Sequence, residues 1–175
     1  MDIILINIIL LIVIIFLLIV LSWVWPPDSP WAPWWKTSKE KSRAICRLAN
    51  VSSKDIVYEL GSGNGTTLIV AAKEFGAKGI GIEIDPLRVL VSKIKIWQEE
   101  LTDKITIKRK NFFDEDLSKA TVVYVYLVPK ALERLKPKLL KELKKGTRLV
   151  SLNYEISLPL TKFDKKNNLR LYKIS

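Results

Sequence analysis

The 175-residue sequence contains no histidine and only one cysteine, Cys46. Because histidine is absent, Ser-His catalysis is excluded, and a single cysteine forms neither an intrachain disulfide nor a thiolate zinc site. We therefore expect no metal site. The chain also has no lysine or arginine before residue 36, although it has 29 of them in total.

Residues 3–21 form an apolar run that is interrupted only by Asn7. About 20 helical residues cross a hydrocarbon core of ~30 Å, so the run predicts a membrane span. It is longer than the apolar region of a signal peptide and has no basic residue before it, which favours a retained anchor over residues 1–22. Because every basic residue follows the span, the positive-inside rule predicts a single-pass membrane protein with its catalytic domain in the cytoplasm.

Residues 23–35 contain five of the six tryptophans and four of the eight prolines. This composition predicts a stiff linker at the level of the lipid headgroups. Residues 36–175 then suffice for one domain, and they carry 29 basic residues and 16 of the 18 acidic ones, a net charge of +13. Such a charge favours contact with an anionic membrane surface, with nucleic acid as the competing partner.

After residue 36, β-rich segments alternate with helical ones. The alternation predicts an α/β fold with a Rossmann-like, doubly wound, mostly parallel sheet. The chain after Tyr154 is short, so we expect abbreviated C-terminal strands, with 160–163 pairing with 169–174. A capping box at 37–40 predicts that Thr37 begins the first helix of the domain. The helices are predicted at about 37–50, 66–75, 86–100 and 130–145, and the strands at 56–60, 78–84, 105–109, 121–127, 147–154 and 169–174.

Six of the seven glycines lie in residues 57–86, VYELGSGNGTTLIVAAKEFGAKGIGIEIDP. Gly61, Ser62, Gly63 and Gly65 form a turn between a strand and a helix, where backbone N–H groups can face a ligand and no Cβ intrudes. The spacing G-x-G-x-G lacks the third glycine of the dinucleotide fingerprint G-x-G-x-x-G. A nicotinamide dinucleotide is therefore disfavoured.

Two carboxylates accompany this turn. Glu59 precedes the first glycine by two residues, where it would repel phosphate and attract an ammonium or sulfonium group. Glu83 ends the next strand, at about the separation where an acid accepts hydrogen bonds from ribose hydroxyls. After the third strand, the Asn111 amide suits an adenine edge and the Phe112 ring its face. These features predict S-adenosylmethionine as the cofactor, whereas Asp85 is expected to be a helix N-cap.

Four segments carry a family resemblance: DIVYELGSGNGT, GIEIDP, KNFFDEDLSKATVVYVYLVP and LKPKLLKELKKGTRLVS. With them the chain resembles the small protein-lysine methyltransferases of archaea and their membrane-anchored relatives, including the mitochondrial ATP synthase c-subunit lysine methyltransferases. These are class I S-adenosylmethionine-dependent enzymes. The resemblance implies methyl transfer to a lysine ε-amine.

The resemblance also implies roles for the segment before the first helix of the domain. In the family this segment reads approximately P-Y-V-P-T-P and helps to enclose the cofactor, and here residues 33–38 read PWWKTS. Trp34 and Thr37 match it and are implied cofactor contacts, whereas Lys36 and Ser38 depart from it. After the fifth strand the family often has Ser-His-(Glu/Asp)-Phe beside the substrate channel, and here residues 151–154 read SLNY.

Methyl transfer to lysine requires the protein to orient an uncharged amine in line with the S–CH₃ bond. An apolar, aromatic channel lowers the pKa of a lysine, so no dedicated base is needed. Tyr126, which lies near the reactive end of the fourth strand, is the candidate catalytic residue that lines this channel. The anchor favours a membrane-associated protein as the substrate.

Nucleic-acid methylation is disfavoured because the chain lacks two motifs that such enzymes use. A cytosine-C5 methyltransferase needs a cysteine near the fourth strand, but Cys46 lies in the first helix of the domain. A nucleobase amino-methyltransferase typically has Asp/Asn-Pro-Pro-aromatic after that strand, whereas residues 126–129 here read YLVP.

Two alternatives to a protein-lysine methyltransferase stay open. A domain of net charge +13 repels basic proteins, which allows a lipid or quinone as the acceptor. The chain could also be a non-catalytic, cofactor-binding membrane module.

Overall fold

The computed structural model describes residues 3–24 and 35–175. Its first helix, α1 (Ile3–Val24), continues two residues into the predicted linker, and residues 25–34 of that linker, including Trp34, lie outside the described residues. Ile3–Leu21 has a mean hydropathy of 3.7, and by length and composition α1 is the one described helix that could cross a membrane. Its described side chains are all exposed.

The domain after α1 has four further helices and seven strands, close to the predicted positions. The helices are α2 (Lys39–Leu48), α3 (Thr66–Phe75), α4 (Pro86–Gln98) and α5 (Pro129–Glu142). The strands are β1 (Ile56–Leu60), β2 (Lys78–Glu83), β3 (Ile105–Arg109), β4 (Val122–Val125), β5 (Arg148–Leu152), β6 (Leu160–Asp164) and β7 (Leu169–Lys173).

All seven strands form one mixed sheet in the order β3-β2-β1-β4-β5-β7-β6. The first five are parallel, and β7 runs antiparallel between β5 and β6. Helices α2, α3 and α4 pack on one face and α5 on the other. The α/β, Rossmann-like prediction is confirmed.

The expectation of abbreviated C-terminal strands is wrong. Strands β6 and β7 have five residues each, as many as β1. The C-terminal segment is short because its strands are joined by a short connection. A parallel partner needs a crossover of a dozen or more residues, whereas an antiparallel partner needs only a tight turn. The chain end therefore closes the sheet as a hairpin.

The start of α2 differs from the predicted capping box by one residue. Ser38 is the N-cap, and its hydroxyl accepts a hydrogen bond from the backbone N–H of Lys41 at 3.2 Å. The extended backbone of Ser38 lets its side chain reach the first turn. Thr37 is consequently free to face the interior of the domain.

Two glycines of β2 allow the helix after the glycine turn to approach the sheet closely. A Cβ on Gly81 would lie 2.6 Å from both Ile107 Cδ1 and Ser62 Oγ, and 2.9 Å from Leu68 Cδ1. In the dinucleotide fingerprint the third glycine of the turn permits this close packing. Here the neighbouring strand provides the space, which explains why the turn does without that glycine.

We expect Gly81→Ala to lower the free energy of unfolding by about 1–3 kcal/mol, the usual cost of overpacking a filled site. Gly79→Ala is the matched control, because its Cβ would lie no closer than 3.3 Å to its neighbours. Urea unfolding of the detergent-solubilised chain, followed by circular dichroism, measures both. An equal or larger loss for Gly79→Ala would contradict this account of the packing.

Candidate active site

The turn between β1 and α3 depends on glycine at three positions. Gly61, Gly63 and Gly65 have φ angles of 77°, 52° and 72°, the left-handed region that other residues adopt only with strain. The N–H groups of Gly61 and Ser62 donate to the Ile82 carbonyl at 2.9 and 3.0 Å. The turn is thereby fixed to the carboxyl end of β2.

Glu83 joins this turn to the start of α4. Its Oε2 accepts a hydrogen bond from Gly63 N–H at 2.7 Å, and its Oε1 accepts from Ile84 N–H at 2.9 Å and Asp85 N–H at 3.0 Å. Burial raises the pKa of the Glu83 carboxyl, while these N–H groups act in the opposite direction. Oε1 has both lone pairs occupied, whereas Oε2 keeps a further one, so a ribose hydroxyl can still donate to Glu83 Oε2.

Asp85 caps α4 as predicted, and its Oδ1 accepts from Leu87 N–H at 2.8 Å and Arg88 N–H at 3.0 Å. Its role in the described structure is to begin the helix.

Glu59 is a second buried acid in the same site. Burial raises the pKa of its carboxyl to about 8 and the charge of Glu83 adds to the increase, whereas hydrogen bonds with Thr67 and Leu68 lower it. Among the described residues its Oε2 has no hydrogen-bond partner. An unpartnered, desolvated carboxylate oxygen costs free energy until a donor or a cation reaches it.

Ser62 is the other buried polar group without a partner in the described part of the chain. Its hydroxyl lies beside Gly81 of β2, in the small volume bounded by Ile107 Cδ1 and Leu68 Cδ1. The unpartnered oxygen of Glu59 and the turn together fit a ligand with a cationic amino-acid tail, as S-adenosylmethionine has. The predicted cofactor is therefore consistent with the hydrogen-bonding groups of the site.

Asn111 and Phe112, the two predicted cofactor contacts after β3, differ in their exposure. Asn111 is exposed and caps a single turn of 3₁₀ helix, with its Oδ1 accepting from Phe113 N–H at 3.1 Å. Phe112 is 8% exposed and packs in the core on the α5 side of the sheet, with its ring centroid 4.6 Å from that of Phe113. Their roles toward adenine stay predictions.

Thr37 reaches a residue that the sequence reasoning did not assign to the site. Its hydroxyl lies 3.2 Å from the hydroxyl of Tyr124, which is 1% exposed in the middle of β4. Burial raises the pKa of the Tyr124 hydroxyl above its ordinary value, so that it stays protonated. The alternation of Tyr124 and Tyr126 on one strand face was the available signal. Tyr124 fixes the segment that leads into α2.

Tyr126 follows the end of β4, and its hydroxyl accepts a hydrogen bond from Asn153 Nδ2 at 2.9 Å. Asn153 itself has a left-handed φ of 66° and accepts from Asn168 Nδ2 at 3.2 Å. Tyr154 is 37% exposed. Burial raises the pKa of the Tyr126 hydroxyl, and the neighbouring Tyr154 adds to this increase. The carboxyl ends of β4 and β5 thus bring two tyrosines and an oriented amide together.

Comparisons with known proteins show what the whole domain is similar to. Residues 59–159 match the family described as ANTKMT methyltransferase domain. A protein-lysine N-methyltransferase of Saccharolobus islandicus (strain REY15A) is 43% identical over 128 residues, which are 73% of this chain and 80% of that protein. An ATP synthase c-subunit lysine N-methyltransferase of Xenopus laevis is 29% identical over 103 residues. That match spans 59% of this chain and 45% of the relative.

Among solved structures, an RNA methyltransferase from Salinibacter ruber in complex with S-adenosyl-L-homocysteine superimposes with a TM-score of 0.76 and 32% identity. The superposition covers 80% of this chain and 92% of that one. S-adenosyl-L-homocysteine is what remains of S-adenosylmethionine after methyl transfer. The cofactor predicted from the glycine turn and its two acids is confirmed.

We expect cofactor binding to expel a proton near neutral pH. Without a cation nearby, Glu59 keeps its proton below pH about 8, and a bound sulfonium and ammonium favour the carboxylate. Affinity should therefore rise as the pH increases from about 6 to about 8, by at most about tenfold per pH unit. Calorimetry in buffers of different ionisation enthalpy measures the proton release.

Glu59→Gln is the control for this experiment, because glutamine has the same shape and does not titrate. The cofactor's own titrations are common to both proteins, so they cancel in the comparison. The same pH dependence and proton release in wild type and Glu59→Gln would contradict the role of Glu59.

The hydrogen bond between Thr37 and Tyr124 should contribute to cofactor affinity. Tyr124→Phe and Thr37→Val should each weaken binding by about 0.5–1.5 kcal/mol, the net value of one such bond. The double variant should bind no more weakly than either single variant, because both remove the same interaction. Calorimetric affinities complete this cycle, and strictly additive losses would show that the two hydroxyls act separately.

Proposed function

The chain belongs to the ANTKMT methyltransferase domain family and is an S-adenosylmethionine-dependent protein-lysine methyltransferase, and we propose that its acceptor is a lysine of a membrane-associated protein. In this proposal α1 anchors the enzyme in the bilayer and the domain works on the cytoplasmic side. The observation that carries the membrane part is the length and hydropathy of the apolar helix, Ile3–Leu21.

The bound cofactor supplies a methyl group on a sulfonium, and the chain's own residues position the reaction. The glycine turn and Glu83 would hold the cofactor by its polar groups, and the unpartnered oxygen of Glu59 would offer a negative charge to its cationic groups. Binding these groups on backbone N–H donors and fixed carboxylates leaves little freedom to the reacting centre. Orientation of this kind can supply much of the rate enhancement of a direct displacement.

The acceptor amine must be uncharged when it attacks. Tyr126 and Tyr154 supply aromatic surfaces at the end of the strands, and a lysine that enters between such surfaces loses hydration and with it part of its affinity for a proton. The Asn153 amide orients the Tyr126 hydroxyl, which leaves the tyrosine hydroxyl proton available for a hydrogen bond. The released lysine proton goes to water before the methyl group is transferred.

A lysine is supported over other acceptors by the 43% identity with a protein-lysine N-methyltransferase over 73% of this chain. RNA is the second candidate, because the Salinibacter ruber protein is described as an RNA methyltransferase and a domain of net charge +13 suits a polyanion. Lipid or quinone is the third, because the anchor would deliver the domain to them.

One labelling experiment separates these acceptors. Membranes and soluble extract from cells that lack this protein are incubated with the full-length enzyme and isotopically labelled S-adenosylmethionine. We expect label in membrane protein, at lysines whose masses increase by one to three methyl groups in mass spectrometry. Label that extracts with organic solvent would assign the acceptor to lipid, and label that ribonuclease removes would assign it to RNA.

Tyr126 should affect turnover more than cofactor binding. We expect Tyr126→Ala to reduce the methylation rate by about 10- to 100-fold, because loss of the wall misplaces the amine, while affinity for the cofactor changes little. Tyr126→Phe keeps the ring and separates its contribution from that of the hydroxyl. Equal losses in rate and cofactor affinity for Tyr126→Ala would remove this residue from the substrate channel.

A further inference from the structure

Helix α4 has apolar side chains on two opposite faces. Val89 and Ile96 are buried in the core, whereas Leu90, Ile94 and Trp97 remain 54%, 46% and 71% exposed. The exposed positions recur at i, i+4 and i+7, so they form one stripe along the helix. We call Leu90, Ile94 and Trp97 the outer face of α4. A helix that only covers a sheet normally turns polar residues to this side.

Of the lysines in α4, Lys93 is exposed beside this outer face, whereas Lys95 is half-buried toward the other side of the helix. Burial together with the neighbouring charges of Lys36 and Lys39 lowers the pKa of Lys95. In the described part of the chain, none of these four lysines has a carboxylate partner within 4.0 Å. Glu40, Glu74 and Glu99 lie near enough to Lys39 to interact with its charge. The exposed Lys36 and Lys93 favour an anionic surface outside the protein.

The position of this surface relative to α1 indicates which anionic surface it meets. Cα atoms of α1 come within 8 Å of those of α4. Residues 25–38 connect α1 to α2, and even fully extended they reach only on the order of 50 Å. Trp35, which lies in this connection, is 63% exposed. Tryptophan beside lysine is typical of segments at the membrane–water interface.

We infer that the outer face of α4 rests on the headgroup region of an anionic bilayer, with its apolar stripe inserted and the lysines beside it paired with lipid phosphates. This inference rests on the membrane attachment under the proposed function and adds the face that meets the lipid. Leu90, Ile94 and Trp97 leave water on contact, and each suitably placed lysine adds electrostatic attraction to the anionic headgroups.

This orientation has a consequence for the substrate. Helix α4 begins at Pro86, beside Glu83 and the glycine turn, and runs back along the sheet. With the outer face of α4 on the lipid, the carboxyl edge of the sheet faces along the membrane instead of away from it. The reachable lysines would then lie at the level of the headgroups.

The test uses the full-length chain in vesicles and one introduced cysteine. Cys46 is buried and its thiol pKa is raised to about 12, so it does not compete for a thiol-reactive fluorophore. Ile94→Cys reports on the outer face. Leu140→Cys is the matched control, because Leu140 is a similarly exposed apolar residue, 49% against 46%, on α5 across the sheet. Nitroxide lipids in phosphatidylcholine vesicles, with and without phosphatidylserine, serve as quenchers.

We expect the label at position 94 to be quenched by the lipid nitroxides, more strongly with phosphatidylserine, and the label at position 140 to keep its intensity. Equal quenching at both positions would overturn the inference. A label at position 94 that is shielded from water but not quenched by lipid would assign the outer face to a protein partner or a second copy. A chain that fails to float with the vesicles would instead refute the membrane attachment.

A second pair of variants leaves the labelling chemistry aside. Ile94→Glu should leave folding and cofactor affinity unchanged, because the side chain is exposed, and should reduce methylation of membrane-embedded acceptors, with Leu140→Glu as the control. Undiminished methylation by Ile94→Glu in anionic membranes would count against the inference even if the fold and the proposed activity were both intact.

Discussion

The hydrogen bonds of the Glu83 carboxylate hold the site together. One oxygen binds the N–H of Gly63 and the other binds the two N–H groups that lead into α4. Two loops from different βα units are thereby fixed to a single side chain at the end of β2. The carboxylate is a structural brace, and we propose that it also accepts a hydrogen bond from ribose, in which case the geometry that folds the loops would also receive the cofactor.

The amino ends of the strands, on the side of the sheet away from the site, have no corresponding unpartnered groups among the described residues. Asp55 accepts hydrogen bonds from the Thr121 hydroxyl at 2.7 Å and from Ser52 N–H at 2.8 Å, and it also pairs with Arg148. This network joins the starts of β1, β4 and β5. Because the polar cluster at the amino ends of the strands is satisfied, the carboxyl ends can keep a desolvated acid such as Glu59 without loss of the fold.

The sequence was most informative where the local pattern and the tertiary structure agree. The strand–turn–helix around Gly61 and Gly63 has the predicted bounds, because glycine conformation and apolar periodicity both act locally. The contact between Thr37 and Tyr124 could not be predicted, because it depends on which residue begins α2 and the two positions are 87 residues apart. The pairing of Tyr126 with Asn153 has the same origin, since it requires that β4 and β5 be neighbours.

The contact of Gly81 with Ser62 also limits how such a site can change in sequence over time. A larger residue at position 81 needs a smaller partner at Ser62 or at Ile107, because all three side-chain positions share one small volume. Substitutions at these sites should therefore be accepted in pairs and rarely singly. The glycine turn and β2 would then appear as co-varying columns among homologues, although about twenty residues separate them along the chain.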